Sequence, residues 1–557
     1  MKRLPYGITD YKSLIEENYY YVDKTRYLEE LEKDDEVLIY LRPRRFGKTL
    51  FTSMMSYYYD INAKNEFDCL FKDTYIHDNP TPKKNKYYIF KMDFSGIGSN
   101  NATEEEIKKS FNNSVKSSIS TFISHYGLDL NIDMDESNPA SLALDFFTAF
   151  NNLNLDNKLY VIIDEYDNFT NTILGNNKNL FEKLLTNDGF VKAFYQELKK
   201  ARGTVIGRIF ITGVCSISLD AMSSGFNIGT NITNQSRFNA MTALTYEEVK
   251  EIINQMDIND KEEIFDTLAL NYDGYKFNRK VDYKVFNTTL VMYYLNNIIK
   301  NGEQPDELLD VNIVSNNFDQ INTLINLVSD KEKEEMIKAL YFDNCINTIL
   351  KNDFDINNIS IYDILSLLYY FGYLTIEDYD INMGTFTLRK PNKVMEELYS
   401  RLFIRLTNKN VEIDRLLNEA IIAIKETGDI KPLTNIVSET VSYLSYRDYQ
   451  NFDEKYIKII YFTMLKLYRD LKVYSEKEVK EGFTDLFIER NSESAKYNIL
   501  IELKYLKKEE KDNLSKYLEE GKLQLERYIT DKRIDKDNLR KYVIVFVNDE
   551  YTLEEIL

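Results

Sequence analysis

The feature that most constrains the fold of this chain is residues 36–61, where an apolar strand pattern, a basic turn and a helical pattern follow one another. The turn, RPRRFGKT, ends in Gly47, Lys48 and Thr49. A strand that enters a helix through Gly-Lys-Thr is typical of a phosphate-binding loop, because backbone N–H groups at a helix N-terminus hold phosphate oxygens. Lys48 is then expected to reach the β- and γ-phosphates, and the Thr49 hydroxyl to bind Mg²⁺.

Only half of the loop consensus is present, because this chain has Arg42 where a glycine is expected five residues before Gly47. A second signal comes from residues 157–169, NKLYVIIDEYDNF, an apolar run that ends in Asp164 and Glu165. Buried parallel strands have this pattern. In nucleotide hydrolases of the additional-strand class, the first acid orients Mg²⁺ through water and the second polarises the attacking water. We assign these roles to Asp164 and Glu165.

Two further segments, residues 86–96 and 208–214, also predict strands. Thr212 lies near the end of the second, where a polar side chain would sense the γ-phosphate. Four core strands that end in ordinary polar residues are the alternative interpretation. The order and spacing of the four segments favour one nucleotide-binding parallel sheet.

The segments LPYGITDYKSLIEENYYYVDKT (4–25), RPRRFGKT, VIIDEYD, FITGV and SSGFNIGTNIT closely resemble the predicted AAA-ATPase-like family. Members of this family carry a C-terminal nuclease-like domain of the PD-(D/E)XK superfamily, and the resemblance covers nearly the whole chain. It implies a nucleotide-driven ATPase. The RPRRFGK form of the loop is usual in that family, so Arg42 does not count against nucleotide binding, and Arg45 and Phe46 join the predicted nucleotide site.

The resemblance also includes YVDKT, with Asp23, Lys24 and Thr25. One interpretation packs this N-terminal segment beside the nucleotide, and the other makes Asp23 or Thr25 a helix N-cap. An arginine finger is conceivable at Arg208 or Arg237, although packing or surface roles are expected for both.

Composition excludes several other chemistries. The only histidines, His77 and His125, do not sit in the contexts that zinc enzymes or Ser-His-Asp triads require. Cys69, Cys215 and Cys345 lack the spacing of a disulfide framework or a cysteine zinc site.

Charge and hydropathy limit the partners of the chain. With 70 Lys and Arg against 90 Asp and Glu, the net charge of −20 excludes binding of nucleic acid by bulk charge, so any such site must be local. No signal peptide or membrane span is predicted, and a cytoplasmic location without membrane contact is expected.

The C-terminal part carries a second chemistry. Asp485 lies in a predicted strand at 481–490, and Glu502 and Lys504 lie in the next one, at 499–508. Strand alternation places Glu502 and Lys504 on the same face. Two carboxylates and a carbonyl can hold Mg²⁺ or Mn²⁺, and the lysine can orient the attacking water. This pattern predicts phosphodiester hydrolysis without histidine.

Two helical segments extend this prediction. Glu454 lies in an amphipathic pattern where many nucleases of the superfamily place a further acid, so it is a candidate metal ligand. Gln524 and Tyr528 are four residues apart on a helix, a Q-x-x-x-Y pattern that resembles the RecB-like subgroup. The closing strand, 541–547, completes the expected helix-strand-strand-strand-helix-strand order only if one further strand is unrecognised. A degenerate domain that no longer cuts stays open.

Between the N-terminal motifs and the C-terminal motifs, the sequence pattern is mostly helical. The exception is 362–403, where the pattern predicts a helix, a strand, a turn, a strand and a helix, an order that is winged-helix-like. Its hairpin, with Arg389 and Lys390, could touch DNA, but a packing or relay role is favoured. The predicted fold is α/β and multidomain. It comprises an additional-strand, AAA-like P-loop ATPase (1–240), a helical lid or linker (241–350), a winged-helix-like and helical relay (351–450) and a restriction-endonuclease-like α/β domain (451–557).

The sequence thus predicts an ATP-binding and hydrolysing protein coupled to Mg²⁺-dependent cleavage of nucleic acid, DNA rather than RNA. Homo-oligomerisation is compatible with this prediction. A role in defence or mobile-element control follows from the resemblance alone. The alternative is a nucleotide-gated switch or scaffold whose nuclease-like domain binds nucleic acid or a partner without cutting. A third alternative, a nuclease whose ATPase half serves only assembly, predicts cutting without ATP.

Overall fold

The computed structural model describes residues 2–97, 102–174, 180, 183–184, 189–216, 226–305, 308, 320–342, 345–352, 354, 358–407, 412–442, 454–468, 471–479, 482–490 and 495–556. The chain divides into two compact units. The N-terminal unit comprises Met1–Met336 and Asn344–Met395, and the C-terminal unit Ile337–Asp343 and Glu396–Leu557. The finer division into four domains stays a prediction.

A five-stranded parallel sheet forms the centre of the N-terminal unit, in the order β2-β3-β4-β1-β5. Its strands are β1 (Val37–Leu41), β2 (Tyr88–Asp93), β3 (Leu159–Asp164), β4 (Ile206–Gly213) and β5 (Thr230–Asn231). Strands β1 and β3 are buried along their whole length, as expected for parallel strands covered on both faces. Strand β4 lies between β1 and β3, so the tips of all three meet at one edge of the sheet.

Several helices of this part of the chain begin or end at local sequence signals. The long helix α6 starts with a capping box formed by Thr103 and Glu106 and ends at Gly127, whose φ of 61° is left-handed. The helices are α1 (Tyr11–Glu16), α2 (Arg26–Glu32), α3 (Lys48–Tyr59), α4 (Phe67–Leu70), α5 (Tyr75–Asp78), α6 (Glu104–Tyr126), α7 (Pro139–Asn152), α8 (Asn168–Leu174), α9 (Phe190–Ala201), α10 (Tyr246–Asn254), α11 (Lys261–Tyr272) and α12 (Thr288–Asn301).

The segment predicted to be winged-helix-like has the expected order of elements. The three strands β6 (Ile346–Thr348), β7 (Thr375–Asp380) and β8 (Thr385–Arg389) form an antiparallel sheet in the order β6-β8-β7. The helices here are α13 (Asp330–Phe342), α14 (Ile361–Tyr370) and α15 (Lys393–Thr407). Helix α14 is buried from Asp363 to Tyr370 and therefore packs inside this part of the chain. The winged-helix class and the role of the hairpin both stay predictions.

The C-terminal unit contains a mixed sheet in the order β13-β12-β11-β10-β9, in which only β11 and β12 are parallel. The strands are β9 (Lys472–Val479), β10 (Gly482–Glu489), β11 (Asn498–Leu506), β12 (Leu539–Val547) and β13 (Glu550–Ile556). The helices are α16 (Ile413–Thr427), α17 (Lys431–Ser442), α18 (Glu454–Lys466) and α19 (Leu514–Tyr528). Strand β9 is the strand that the sequence pattern did not reveal, and β13 is an additional edge strand.

Both faces of this sheet are covered by apolar residues. Ile499, Ile501 and Leu503 of β11 belong to one core cluster, which includes residues of α16, α17 and α18. Leu500 belongs to a second cluster that includes Leu518 and Leu525 of α19. Strand alternation puts Glu502 and Lys504 on the same face as Leu500.

Within the described part of the chain, no helix combines the length and the apolar character that spanning a membrane requires.

Two candidate functional sites

The phosphate-loop lysine is held by the loop itself. Gly47 precedes α3 with a left-handed φ of 79°, and a Cβ there would lie 3.1 Å from the carbonyl oxygen of Thr242. The Lys48 ammonium is buried and donates to the carbonyl oxygens of Arg42, at 2.9 Å, and Pro43, at 3.1 Å. Burial lowers the pKa of Lys48, and the charge of Glu165 opposes that shift. Among the described residues, the hydrogen-bond partners of this ammonium are neutral carbonyls, so it is available to an anionic ligand.

Arg42 explains how the loop forms without its first glycine. Its buried guanidinium donates to the carbonyl oxygens of Leu41 and Thr233, both at 2.8 Å, and of Phe238 at 2.9 Å. It also lies 4.2 Å from the ring centroid of Phe277. Arg42 therefore ties the loop to two other segments from inside and does not occupy the space in front of the loop.

The predicted magnesium acid and the predicted γ-phosphate sensor are in direct contact. Asp164 Oδ1 accepts hydrogen bonds from the Thr212 hydroxyl and, at 3.1 Å, from the Glu165 backbone N–H. Its Oδ2 accepts from the Thr52 hydroxyl at 3.3 Å. Three donors leave a carboxylate with acceptor capacity for a water or a cation. Thr52, three residues after Thr49 on α3, was not among the predicted site residues.

Glu165 follows β3 in an unusual backbone conformation. Its φ of 51° lies in the left-handed region, which few non-glycine residues adopt. Such positions cluster at active sites, where the surrounding structure supports the strain. Burial raises the pKa of Glu165, while Lys48 and Arg44 counteract this shift. Glu165 therefore lies close enough to the loop cations to interact with them electrostatically.

A cavity of about 300 Å³ lies in front of the loop. Arg45, Gly47, Lys48, Thr49 and Glu165 are among the residues that line it. Apolar side chains also line it, among them Pro5, Ile8, Leu14, Val22, Leu50, Phe51, Met241, Leu244 and Met292. A cavity that offers cationic, hydroxyl and apolar side chains together fits a ligand that has both phosphates and an aromatic base.

Phe46 and Arg45 contribute to this site differently. The Phe46 ring is buried edge-on against Tyr275 and Phe277, with centroids 5.0 and 5.4 Å apart. Only its backbone is then available to a phosphate. The Arg45 carbonyl oxygen accepts from Thr289, at 2.8 Å from the hydroxyl and 3.3 Å from the N–H, which anchors the loop to α12.

The N-terminal segment lies beside this cavity, as the first interpretation of YVDKT expects. Lys24 lines the cavity, and its buried ammonium contacts both oxygens of Glu248, at 2.6 and 2.7 Å, and the Ala240 carbonyl oxygen at 3.1 Å. Burial lowers the pKa of Lys24 despite the Glu248 carboxylate. Lys24 therefore connects the N-terminal segment to the start of α10.

The N-cap interpretation of Asp23 and Thr25 is wrong in its chemistry. Helix α2 does follow Thr25, but no side-chain hydrogen bond caps it. The Thr25 hydroxyl accepts instead from the Ile76 N–H at 3.1 Å, and Asp23 accepts from the N–H groups of Thr25, at 2.8 Å, and Tyr75, at 2.7 Å. Both residues thus attach the segment to α5.

The two candidate arginine fingers have the packing and surface roles that were expected. Arg208 is buried and donates to the carbonyl oxygens of Leu31, at 2.8 Å, and Asp35, at 3.0 Å. Arg237 pairs with Asp34.

In the C-terminal unit, four predicted residues from three elements converge. Lys504 Nζ donates to Glu502 Oε1 at 2.7 Å and lies 3.5 Å from Glu454 Oε2. The Leu503 N–H, between the two β11 residues, donates to Asp485 Oδ2 at 2.9 Å. The strand pairing of β10 and β11 therefore places the acid of one strand beside the Glu-x-Lys of the next.

A second lysine, Lys458, reaches this cluster. Its ammonium lies 3.7 Å from Asp485 Oδ1, and it is one turn after Glu454 on α18. Lys458 was not among the residues predicted from the sequence. The signal that could have found it is the four-residue spacing from Glu454, which puts both side chains on one helix face.

Burial, together with the neighbouring charges, changes the proton affinity of this cluster. Burial, and then the charge of Asp485, raise the pKa of Glu502 to about 8 although Lys504 opposes the shift. The same two causes raise the pKa of Glu454. Burial lowers the pKa of Lys504, but Glu502, Glu454 and Asp485 outweigh it and raise that pKa overall. Burial and the nearby carboxylates raise the pKa of Tyr528 to about 12, so α19 lies close to the acids.

The donors of this cluster fit a hard divalent cation. Glu502 Oε2 is buried and makes no hydrogen bond, an arrangement that is costly without a further ligand. Gln524 Oε1, on α19 one turn before Tyr528, is also buried without a hydrogen bond. Mg²⁺ and Mn²⁺ prefer such carboxylate and carbonyl oxygens. Among the residues that the structure describes, no three or more His, Cys, Asp or Glu side chains are grouped so that together they could hold a metal ion, so Glu454, Asp485 and Glu502 do not form a three-acid site. Asp485 and Glu502 would therefore share the cation with carbonyl, water or substrate oxygens.

Comparison with protein families agrees with both geometries. A family model described as "Predicted AAA-ATPase" matches residues 5–223, and one described as "PD-(D/E)XK nuclease superfamily" matches residues 452–556. The chain contains a predicted AAA-ATPase domain and a C-terminal PD-(D/E)XK nuclease-superfamily domain. The matched ranges include the phosphate loop, Asp164, Glu165 and all the predicted residues of the C-terminal cluster.

One curated protein is similar to this chain. It is described as an "Uncharacterized protein in vnfD 5'region" of Azotobacter chroococcum mcd 1 and is 25% identical over 292 residues. That stretch covers 52% of this chain and 52% of the relative, so the chain matches about half the length of its relative.

Two further predictions concern the segment SSGFNIGTNIT and the hairpin that contains Arg389. The first residues of SSGFNIGTNIT, 223–225, lie outside the described residues. The hairpin that contains Arg389 was predicted either to touch DNA or to have a packing or relay role. Arg389 pairs with Glu377 and donates to the carbonyl oxygens of Lys390, at 2.9 Å, and Pro391, at 3.1 Å. These contacts fix Arg389 within its own hairpin.

Proposed function

We propose that this protein binds and hydrolyses ATP at its N-terminal site and cleaves nucleic acid with a divalent metal at its C-terminal site. The observation that carries the proposal is the meeting of Asp485, Glu502 and Lys504 beside a buried Glu502 oxygen that has no hydrogen-bond partner. Such an oxygen needs a ligand, and a divalent cation suits its chemistry.

In the nucleotide site, the N–H groups at the start of α3 would bind the phosphates, and Lys48 would exchange its two carbonyl partners for phosphate oxygens. The apolar side chains that line the cavity suit the adenine. Thr49 and Asp164 would hold Mg²⁺, which neutralises charge on the transferred phosphoryl group. Glu165 would then accept a proton from the attacking water, a role that its raised pKa supports.

In the nuclease site, Asp485 and Glu502 would hold Mg²⁺ or Mn²⁺, with Glu454 as a further acidic group. The metal would supply Lewis-acid stabilisation of the phosphate and lower the pKa of a bound water. Lys504 would orient that water, since its ammonium already lies between Glu502 and Glu454. Gln524, on α19, offers an unpartnered carbonyl oxygen to the metal or the substrate.

The proposal extends to the substrate and the biology. The substrate is DNA and the protein acts as a homo-oligomer, while a role in defence or mobile-element control rests on family resemblance alone. Because the net charge of the chain is −20, it must bind nucleic acid through a local group of Lys and Arg side chains.

The test is cleavage of linear, circular and single-stranded DNA and of an RNA in Mg²⁺ or Mn²⁺, with and without ATP. We expect the wild type to cut and Lys504→Ala to lose about a hundredfold or more of the activity, as removal of a transition-state contact does. The matched control is Lys508→Ala, an exposed lysine four residues further along, which should cut normally. If Lys48→Ala no longer cuts, nucleic-acid cleavage is coupled to the ATP site. If the wild type cuts without ATP, the ATPase half serves only assembly.

A nucleotide-gated switch is the second candidate, because the lysines Lys458 and Lys504 already compensate the carboxylates of the C-terminal site. In that case the wild type would leave every substrate intact with either metal while hydrolysing ATP, and Lys504→Ala would bind DNA as the wild type does.

A further inference from the structure

A second cavity, of about 590 Å³, lies in the N-terminal unit and shares no lining residue with the nucleotide cavity. Its walls come from the loop 234–237, the segment 277–280, residues 350 and 352, and the strands β7 and β8. We call it the Arg279 cavity. None of the chemistry described above uses it.

Two of the three cations that line this cavity form no ion pair with the residues that the structure describes. Arg237, Arg279 and Lys280 all line it. Arg237 is paired with Asp34, but neither Arg279 nor Lys280 forms an ion pair with any residue that the structure describes, and both are exposed. In a chain with a net charge of −20, two adjacent free cations at the mouth of a cavity form a local anion-binding surface.

Aromatic rings continue this surface. The Arg279 guanidinium lies 4.1 Å from the ring centroid of Tyr379. Tyr379 and Phe386 are partners across the β7–β8 hairpin, with ring centroids 4.6 Å apart, and Phe386 lines the cavity. A guanidinium over one aromatic ring, with a second ring beside that ring, is the kind of platform on which nucleic-acid bases stack.

The floor of the cavity contacts the phosphate loop. Phe277 lines the cavity, and the same ring lies 5.4 Å from the Phe46 ring and 4.2 Å from the Arg42 guanidinium. Both of those residues belong to RPRRFGKT. A ligand that displaces Phe277 therefore changes the packing behind the loop that holds Lys48.

We propose that the Arg279 cavity binds a nucleotidyl group, with its phosphate on Arg279 and Lys280 and its base against Phe386. The source of the group is either a free nucleotide or a single-stranded nucleic acid, since both present a phosphate beside a base. Occupancy of the cavity changes the turnover of the neighbouring ATP site through Phe277. This last effect rests on the proposed ATPase function, whereas binding does not.

The test is photocrosslinking of the full-length protein to an oligothymidine strand that contains 4-thiothymidine, in EDTA so that metal-dependent cutting cannot consume the probe. Mass spectrometry then locates the crosslinks. We expect crosslinks within residues 375–389, and competition by unlabelled oligothymidine. Competition by thymidine monophosphate at similar concentration identifies a free nucleotide as sufficient. Competition by the strand alone identifies a nucleic-acid strand.

Arg279→Glu with Lys280→Glu should reduce the crosslinks at 375–389 about tenfold, since it removes two phosphate contacts. The control is Lys109→Glu with Lys300→Glu, two exposed lysines whose reversal changes the net charge equally. Phe386→Ala, which removes only the ring, should also weaken crosslinking and keeps the test valid if charge reversal disturbs folding. Crosslinks confined to the C-terminal unit, or crosslinks at 375–389 that survive all of these changes, would overturn the proposal.

ATP turnover separates the two proposals. Oligothymidine should change the turnover of the wild type and of the control variant, but not that of Arg279→Glu with Lys280→Glu. Crosslinking at 375–389 in a protein that does not hydrolyse ATP would refute the ATPase proposal and leave the binding site intact.

Discussion

The proposed nucleotide site and the proposed nuclease site both bury acidic side chains, but Asp164 in the first and Glu502 in the second have different kinds of partner. Asp164 is surrounded by neutral donors, the hydroxyls of Thr52 and Thr212 and one backbone N–H. In the C-terminal unit, Asp485 and Glu502 are compensated by the lysines Lys458 and Lys504, and one Glu502 oxygen has no partner.

This difference indicates which site is complete before its ligand arrives. Neutral hydrogen bonds satisfy a carboxylate in a fixed geometry without a counter-ion. Buried ion pairs depend on charges that cost several kcal/mol each to desolvate, and removal of one partner leaves the other uncompensated. We therefore expect the nucleotide site to be preorganised, and the nuclease site to be completed by a metal ion.

The largest expected effect tests the preorganised site. Glu165→Gln removes the proposed base but retains the shape of the side chain, so ATP turnover should fall by about 10²- to 10⁴-fold. Affinity for ATP, measured by calorimetry, should stay within about threefold, since the groups that would bind the phosphates are untouched. The exposed Glu105→Gln is the control and should hydrolyse normally. Equal loss of binding and turnover would show that Glu165 holds the nucleotide instead.

The next prediction concerns the protonation of the nuclease site. The pKa of Glu502 is about 8 in the folded chain against 4.5 for an ordinary glutamate. The folded state therefore holds this proton more tightly than the unfolded state, and the stability that results is fully present below about pH 4.5 and is lost as the pH rises through about 8. In EDTA, the melting temperature should fall over this range by roughly several degrees.

The variant Glu502→Gln isolates that contribution, because an amide cannot lose the proton. Its melting temperature should be less dependent on pH than that of the wild type between pH 5 and 8. The exposed Glu105→Gln should retain the full dependence. If Glu502→Gln and the wild type have parallel profiles, the raised pKa of Glu502 is wrong.

A smaller effect tests the tight packing behind Asp164. A Cβ on Gly213, at the end of β4, would lie 2.4 Å from the Tyr166 ring and 2.5 Å from Asp167 Oδ1. Gly213→Ala should therefore lower the free energy of unfolding by about 1–3 kcal/mol. Gly96→Ala meets nothing within 4 Å and should change it by less than about 1 kcal/mol. Urea unfolding measures both, and equal stabilities would contradict this packing.

The sequence predicted the core of each site because short contiguous motifs encode it. RPRRFGKT and VIIDE contain both a strand end and its polar residues, so the sheet edge could be assembled from order and spacing alone. The Glu-x-Lys of β11 could be placed on one face for the same reason. Contacts between distant segments could not be predicted, because no local pattern encodes them. Arg42 binding to Thr233 and Phe238 is one example.

Strand β9 was missed for a physical reason. Its sequence, KVYSEKEV, lies at the edge of the sheet, and edge strands often carry charged residues that prevent further pairing. Such a strand lacks the apolar run that marks a buried one. Lys458 was missed because its role depends on the packing of α18 against β10.

Binding of Mn²⁺ to the metal-free protein tests the central claim most directly, namely that the nuclease site is completed by a metal. Calorimetry at pH 7 in two buffers of different ionisation enthalpy reports both the affinity and the protons released. We expect the wild type to bind Mn²⁺ with release of about one proton, which comes from Glu502. Glu502→Gln should lose this release and most of the affinity, while Glu165→Gln should retain both. No binding, or binding and proton release that Glu502→Gln leaves unchanged, would contradict the account.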